Sequence, residues 1–103
     1  MSDSAPLGKL IREKRKAAGL PLRHVADALG ISVPYLSDVE LGHRKPAAKR
    51  WKALAETIPG LTVRAIADAA IASGPVEIDA SKLTPAQRKG VVDALVRLAE
   101  DGP

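Results

Sequence analysis

The chain has 103 residues, no cysteine, a formal net charge of +4 and 46% hydrophobic residues, which include one Trp, one Tyr and no Phe. A chain of this length builds one modest core, and the lack of cysteine excludes disulfides, thiolate catalysis and thiolate metal sites. Because no run approaches the roughly 20 apolar residues that span a bilayer, and no hydrophobic leader begins the chain, the composition predicts a cytoplasmic protein without membrane association.

The first predicted helix follows a short polar segment. Residues 1–6 contain Ser, Asp and Pro and are expected to form a flexible tail. Residues 7–18 carry apolar side chains at helical spacing, with Lys, Arg and Glu on the opposite face. Gly19 then ends the helix, as glycine commonly does.

Two short helices with a three-residue connection come next. Residues 22–29 and 33–40 each carry apolar side chains three or four positions apart. Between them, Gly30 permits a positive φ and the Ser32 hydroxyl can cap the second helix. This connection predicts a helix-turn-helix, whose second helix enters the major groove of double-stranded DNA. The predicted base-contacting residues on its outer face are Ser32, Val33, Pro34, Ser37 and Asp38.

Residues 20–46 resemble the Cro/lambda-repressor (XRE) type of helix-turn-helix transcriptional regulator. The residues that carry the resemblance are Ala26, Gly30, Ser32, Leu36, Val39, Glu40, Gly42 and Pro46. With its flanking helices, the resemblance covers roughly residues 7–72 and implies an all-α, five-helix lambda-repressor-like DNA-binding domain. Because this family often pairs a cation with the glutamate at the position of Glu40, the resemblance also implies a buried structural ion pair between Arg15 and Glu40. The alternative is that Arg15 is one more exposed base.

The sequence departs from the family where DNA is contacted. Leu22 stands where many relatives have a polar residue that holds a phosphate, so the helix N-terminus and Arg23 are expected to take over that role. The outer face of the second helix has no Arg, Lys, Asn or Gln for bidentate base contacts. Readout is instead expected from Val33 and Pro34 on thymine methyl groups and from Asp38 on a cytosine amino group. Val33 and Pro34 have the alternative of packing within the protein. Asp38 has the alternatives of being a solvated residue or of pairing with a neighbouring basic residue.

Contacts to the DNA backbone are expected around this helix. Gly42 ends the helix, and the basic loop that follows would lie along the sugar-phosphate backbone. Arg44 has the alternative of reaching a base or a narrow minor groove. The predicted backbone-contacting residues are Arg23, Tyr35, His43, Arg44, Lys45 and Lys49.

Three further helices complete the predicted fold. Pro46 is expected to open a fourth helix that runs to about residue 57, Thr62 to cap a fifth over residues 63–73, and Thr84 to cap a C-terminal helix. The predicted organisation is a tail over residues 1–6, a DNA-binding domain over 7–73, a linker or short extended segment over 74–82, and an additional C-terminal helix over 83–101.

The C-terminal helix has a broad apolar surface that must be buried against its own domain or against a second subunit. Dimerisation is expected, since a single domain reads only a half-site and two-fold dimers read half-sites about 34 Å apart. The predicted dimerisation residues are Val91, Val92, Leu95 and Leu98.

Positive charge is concentrated in the half of the chain that contains the helix-turn-helix. Residues 1–52 contain 11 Lys or Arg against 5 Asp or Glu, whereas residues 53–103 contain 5 against 7. A basic region attracts a polyanion because each phosphate contact releases condensed counterions. Charge alone is equally compatible with a solvated surface, but its coincidence with the helix-turn-helix favours DNA as the partner.

Together these patterns predict a sequence-specific DNA-binding transcriptional regulator, a repressor or autorepressor that binds a palindromic operator as a homodimer. The alternative is an antitoxin-type module whose C-terminal segment binds a partner protein. No enzyme activity, cofactor or metal is expected, because the sequence has no Gly-rich phosphate loop and no nucleophile motif, and His24 and His43 lack metal-ligand spacing.

Overall fold

The computed structural model describes residues 6–73 and 84–101, which are helical apart from their connections. The α-helices are α1 (Pro6–Ala17), α2 (Leu22–Leu29), α3 (Val33–Glu40), α4 (Trp51–Thr57), α5 (Val63–Ser73) and α6 (Pro85–Asp101). This arrangement confirms the predicted all-α fold of five helices with an additional C-terminal helix. The predicted linker over residues 74–82 lies outside the described residues, as does most of the predicted tail. Among the helices so described, none combines the length and apolar character of a membrane-spanning segment.

The connection between α2 and α3 forms as its residues predict. Gly30 adopts the left-handed conformation at φ 70°, and the N–H of Ile31 donates to the Ala26 carbonyl at 3.0 Å, which satisfies one of the last carbonyls of α2. The Ser32 hydroxyl oxygen accepts from the Tyr35 N–H at 3.1 Å and caps α3. Two local caps therefore set the short turn between the helices.

The core is aliphatic and receives side chains from all six helices. Ala26 and Ala67 are fully buried, so helices approach one another closely where a larger side chain would hold them apart. Trp51 is the one large aromatic residue buried in the described part of the chain. The largest fully buried side chains are Ile11, Val25, Leu36, Leu54, Ile58 and Ile66.

The fourth helix does not begin at Pro46 as the sequence predicted. Pro46 is buried and its carbonyl accepts from the Trp51 indole N–H at 3.2 Å, while Ala47 is extended. A single turn of 3-10 helix, Ala48–Arg50, follows and leads into α4 at Trp51. The prediction was wrong because the Pro46 carbonyl accepts a hydrogen bond from the Trp51 side chain. In a helix that began at Pro46, this carbonyl would accept a backbone N–H instead.

Helix α6 folds back on its own domain. Its N-terminus is a reciprocal cap, in which Thr84 Oγ1 accepts from the Gln87 N–H at 3.1 Å and Gln87 Oε1 accepts from the Thr84 N–H at 3.0 Å. Along its length, the Arg88 guanidinium donates to Asp68 of α5 at 3.0 Å. Intramolecular packing therefore covers much of the apolar surface of α6.

The packing of α6 contradicts the predicted role of one dimerisation residue. Val92 is 4% exposed within a single chain, so it has no surface left for a second subunit and its assignment to a dimer interface is wrong. Val91 and Leu95 are half-buried against the core. Leu98 is 55% exposed and remains a predicted dimerisation residue.

A close approach between α1 and the end of α3 occurs at Gly8. A Cβ atom added to Gly8 would lie 2.4 Å from the Val39 carbonyl oxygen and 2.6 Å from the Glu40 carbonyl oxygen. These neighbours are backbone atoms, which cannot rotate away as a side chain can. Glycine is therefore required at this position by packing, although it lies inside a helix.

We expect Gly8→Ala to destabilise the fold by about 1–3 kcal/mol through overpacking. The matched control is Gly90→Ala in α6, where nothing lies within 4 Å of the added Cβ and the change stabilises the helix by about 0.5–1 kcal/mol. Urea unfolding followed by circular dichroism measures both changes. Equal stabilisation by the two substitutions would contradict the close approach at Gly8.

Candidate nucleic-acid interface

A buried ion pair joins α1 to the C-terminal end of α3. Arg15 Nε donates to Glu40 Oε2 at 2.7 Å and Arg15 Nη2 donates to Glu40 Oε1 at 3.0 Å. The two side chains are only 9% and 5% exposed. Arg15 Nη1 also donates to the Leu20 carbonyl at 2.9 Å, and this bond joins the ion pair to the turn before α2. The ion pair that the family resemblance implied is therefore present, in bidentate form.

The electrostatics of this pair favour the charged state of the arginine. Hydrogen bonding to Glu40 raises the pKa of the Arg15 guanidinium above its ordinary value, against the opposing effect of burial. No buried side-chain nitrogen or oxygen in the described residues lacks a hydrogen-bond partner. The charges are thus compensated inside the fold, and the orientation of α3 relative to α1 is fixed by directional bonds.

The predicted base-contacting residues of α3 differ in how far they are accessible. Ser32 and Pro34 are exposed, and Ser37 is partly exposed. Val33 is half-buried and packs against the core, so only part of its side chain is available to a ligand. The exposed part of α3 is therefore small and weakly polar, and it requires hydrogen-bond donors from elsewhere to read bases.

Two residues of the loop lie beside the carboxylate of Asp38. Its Oδ2 lies 3.6 Å from Arg44 Nε and its Oδ1 lies 3.8 Å from His43 Nδ1. The Arg44 guanidinium carbon lies 5.7 Å from the centroid of the Tyr35 ring, within the range of a cation–π contact. Asp38 thus contacts the basic loop, as the alternative interpretation of this residue predicted, and Tyr35 faces the same cation.

The remaining predicted backbone-contacting residues lie in three segments of the chain. Arg23 is exposed in the first turn of α2, where Pro21 makes no side-chain cap, and Lys49 is exposed in the 3-10 turn. Lys45 is exposed in the loop after α3. Exposed cations therefore occur in the helix before α3 and in the loop after it, which suits a helix flanked by phosphates. We call α3 together with residues 41–45 the α3–loop surface.

Sequence reasoning missed two residues that shape this surface. Arg50 Nη1 donates to the Leu29 carbonyl at 3.1 Å and joins the 3-10 turn to the end of α2. Nothing in the sequence distinguishes Arg50 from its basic neighbours. Gly8 was also missed, although a glycine inside a helical pattern signals close backbone approach. Within residues 6–73 and 84–101, no group of three His, Asp or Glu side chains is arranged to hold a metal ion.

A family model matches the part of the chain that contains the helix-turn-helix. The family model described as Helix-turn-helix matches residues 11–63, which extend from α1 to the first residue of α5. This match confirms the resemblance seen in the sequence. No solved structure matches the chain significantly.

Three curated relatives are similar over parts of their own length. The HTH-type transcriptional regulator DdrOP3 of Deinococcus deserti is 47% identical over 53 residues, 52% of this chain and 40% of the relative. The ImmF control region 10 kDa protein of Bacillus phage phi105 is 44% identical over 55 residues, 53% of this chain and 61% of the relative. An uncharacterised HTH-type transcriptional regulator of Mycobacterium tuberculosis is 30% identical over 89 residues, 86% of this chain and 56% of the relative. The matched region thus spans between 40% and 61% of these relatives.

We expect Arg15→Met to destabilise the fold by about 3–5 kcal/mol, because it leaves the buried Glu40 carboxylate without its partner. The double variant Arg15→Met/Glu40→Leu should recover most of that loss, since it removes both charges. Arg88→Met, which breaks a partly exposed pair, is the control and should cost only about 0–1 kcal/mol. Denaturant unfolding of the four proteins measures these differences; a single variant as stable as the double variant would contradict the account of the buried pair.

Proposed function

Because this chain belongs to the XRE-type helix-turn-helix family, we propose that it is a transcriptional regulator that binds double-stranded DNA in a sequence-specific manner through the α3–loop surface. The observation that carries the proposal is the anchoring of α3 by the Arg15–Glu40 pair, with part of the outer face of the helix exposed and with exposed cations in α2 and in the loop after α3. The names of the curated relatives, two of which are transcriptional regulators and one a control-region protein, support the same role.

In the proposed complex, α3 enters the major groove with its N-terminal residues toward the bases. The Ser32 and Ser37 hydroxyl groups act as donors or acceptors to base edges, and Pro34 packs on a thymine methyl group. Val33 makes a smaller apolar contact, because its side chain is partly covered by the core. Serine and proline discriminate bases weakly, so the loop must contribute to sequence preference.

Phosphate contacts in the proposed complex flank α3. Arg23 and the first turn of α2 bind one backbone segment, where the helix dipole adds to the attraction. Lys45 and Lys49 bind the other segment, together with the side chains of His43 and Tyr35. These contacts hold the domain in register on the duplex and are independent of sequence.

We further propose that the protein binds a palindromic operator as a homodimer and acts as a repressor or autorepressor. A two-fold dimer places two copies of α3 in successive turns of the major groove. The exposed Leu98 of α6 is the proposed centre of the dimer contact, with the uncovered parts of Val91 and Leu95 beside it. The antitoxin-type alternative would use the same face of α6 for a different protein, and no observation favours that partner.

We expect Lys45→Ala/Lys49→Ala to weaken binding to specific and random DNA alike. The slope of log affinity against log salt should become shallower by roughly one to two units, because two phosphate contacts are lost. Fluorescence anisotropy with a random-sequence duplex of about 30 base pairs, roughly three helical turns, measures the slope.

The matched control for this measurement is Lys16→Ala/Lys52→Ala, which removes two exposed lysines from α1 and α4 and leaves the α3–loop surface intact. This control should leave the slope close to that of the unchanged protein, since those lysines lie outside the proposed contact. Identical slopes for all three proteins would contradict the proposed phosphate contacts, and undetectable binding by the unchanged protein would contradict DNA binding itself.

Leu98→Arg is expected to weaken the proposed dimer by about tenfold or more, because it places a charge at the centre of the contact. At a protein concentration low enough to keep both proteins monomeric, the unfolding midpoint should change little, since Leu98 is 55% exposed in the single chain. Sedimentation equilibrium measures dimerisation, with Arg97→Ala on the same helix as the control. A monomeric unchanged protein, or dimers of equal strength in both variants, would contradict the proposed interface.

A further inference from the structure

The outer face of α3 lacks the side chains that read guanine and adenine best, yet an arginine from the following loop lies beside it. We propose that Asp38 is a positioning residue, which holds the Arg44 guanidinium against α3 so that Arg44 supplies the base or groove contact that the helix itself lacks. This inference rests on the proposed DNA-binding function, and it replaces the direct contact between Asp38 and a cytosine that the sequence predicted.

The backbone after α3 brings Arg44 next to Asp38. Gly42 adopts a φ of 85°, and the His43 N–H donates to the Asp38 carbonyl at 2.8 Å. A second bond runs from the Gly42 N–H to the Val39 carbonyl at 3.1 Å. The chain therefore turns back over the last turn of α3, and the basic side chains leave the turn beside the Asp38 carboxylate.

Two contacts of different kinds hold the guanidinium of Arg44. The Asp38 carboxylate forms an ion pair with Nε at 3.6 Å, and the Tyr35 ring faces the guanidinium carbon at 5.7 Å. Both partners belong to α3, whose orientation is fixed by the Arg15–Glu40 pair. A long and flexible cation is thereby restrained relative to the helix, which lowers the entropy cost of using it in recognition.

The chemistry of this arrangement suits recognition by Arg44. Because the carboxylate faces Nε, the two Nη groups stay available as the donor pair that matches O6 and N7 of guanine or two oxygens of a phosphate. The Arg44 side chain is 59% exposed, so these groups are accessible. Asp38 meanwhile forms an ion pair with Arg44, which reduces its repulsion of DNA phosphates.

A randomised-site selection with the full chain tests the proposal, using a library of random duplexes as the probe. The proteins compared are the unchanged chain, Asp38→Asn, Arg44→Ala and the double variant, with Glu56→Gln on α4 as a control that removes an exposed carboxylate elsewhere. Asp38→Asn and Arg44→Ala should each lower the preference at the same base pairs by about fivefold or more. Asp38→Asn should then change nothing further when Arg44 is already alanine, and the control should match the unchanged chain.

Three results would overturn the proposal. Asp38→Asn could alter a base pair that Arg44→Ala leaves untouched, and do so equally in both backgrounds, which would show that Asp38 contacts that base directly. Either single substitution could leave the selected sequences unchanged, which would show that the Asp38–Arg44 pair has no part in recognition. If the unchanged protein enriches no sequence, the proposed function and this inference are overturned together. If it enriches a sequence and Asp38→Asn enriches the same one equally well, this inference alone is overturned.

Discussion

The buried pair of Arg15 and Glu40 is the interaction on which the proposed interface depends. Isolated charges are costly to bury, and here the cost is offset because both carboxylate oxygens and the Leu20 carbonyl receive guanidinium hydrogen bonds. Gly8, two turns earlier in α1, brings that helix against the Val39 and Glu40 carbonyl oxygens. The C-terminal end of α3 is therefore held both by close backbone packing and by directional bonds.

With α3 fixed in this way, the helix and its loop offer different groups for recognition. The helix offers small polar and apolar groups, which fit a groove but discriminate bases weakly. The loop offers the cations, and the turn at Gly42 brings them back toward Asp38 and Tyr35. In this account, recognition is shared between a rigid helix that sets the geometry and a restrained arginine that supplies the strongest donors.

Features that depend on residues close together in the sequence could be predicted from it, and features that depend on tertiary packing could not. The α2–α3 turn follows from Gly30 and Ser32, whose conformational and capping preferences act within a few residues. The Arg15–Glu40 pair spans 25 positions and was reached only through the family resemblance. Periodicity showed that α6 has an apolar face, but not that its own domain covers Val92. The helix start at Pro46 was predicted wrongly and the contact of Arg50 was missed, because their partners, Trp51 and the Leu29 carbonyl, are set by packing.

DNA binding by the α3–loop surface is tested most directly by amide chemical-shift mapping of the full chain during titration with a random-sequence duplex of about 30 base pairs, roughly three helical turns. We expect the largest shifts at residues 32–45 and around Arg23, and little change in α5 and the exposed face of α6. Shifts centred on α6, or none above those caused by salt alone, would contradict the claim that the α3–loop surface binds DNA.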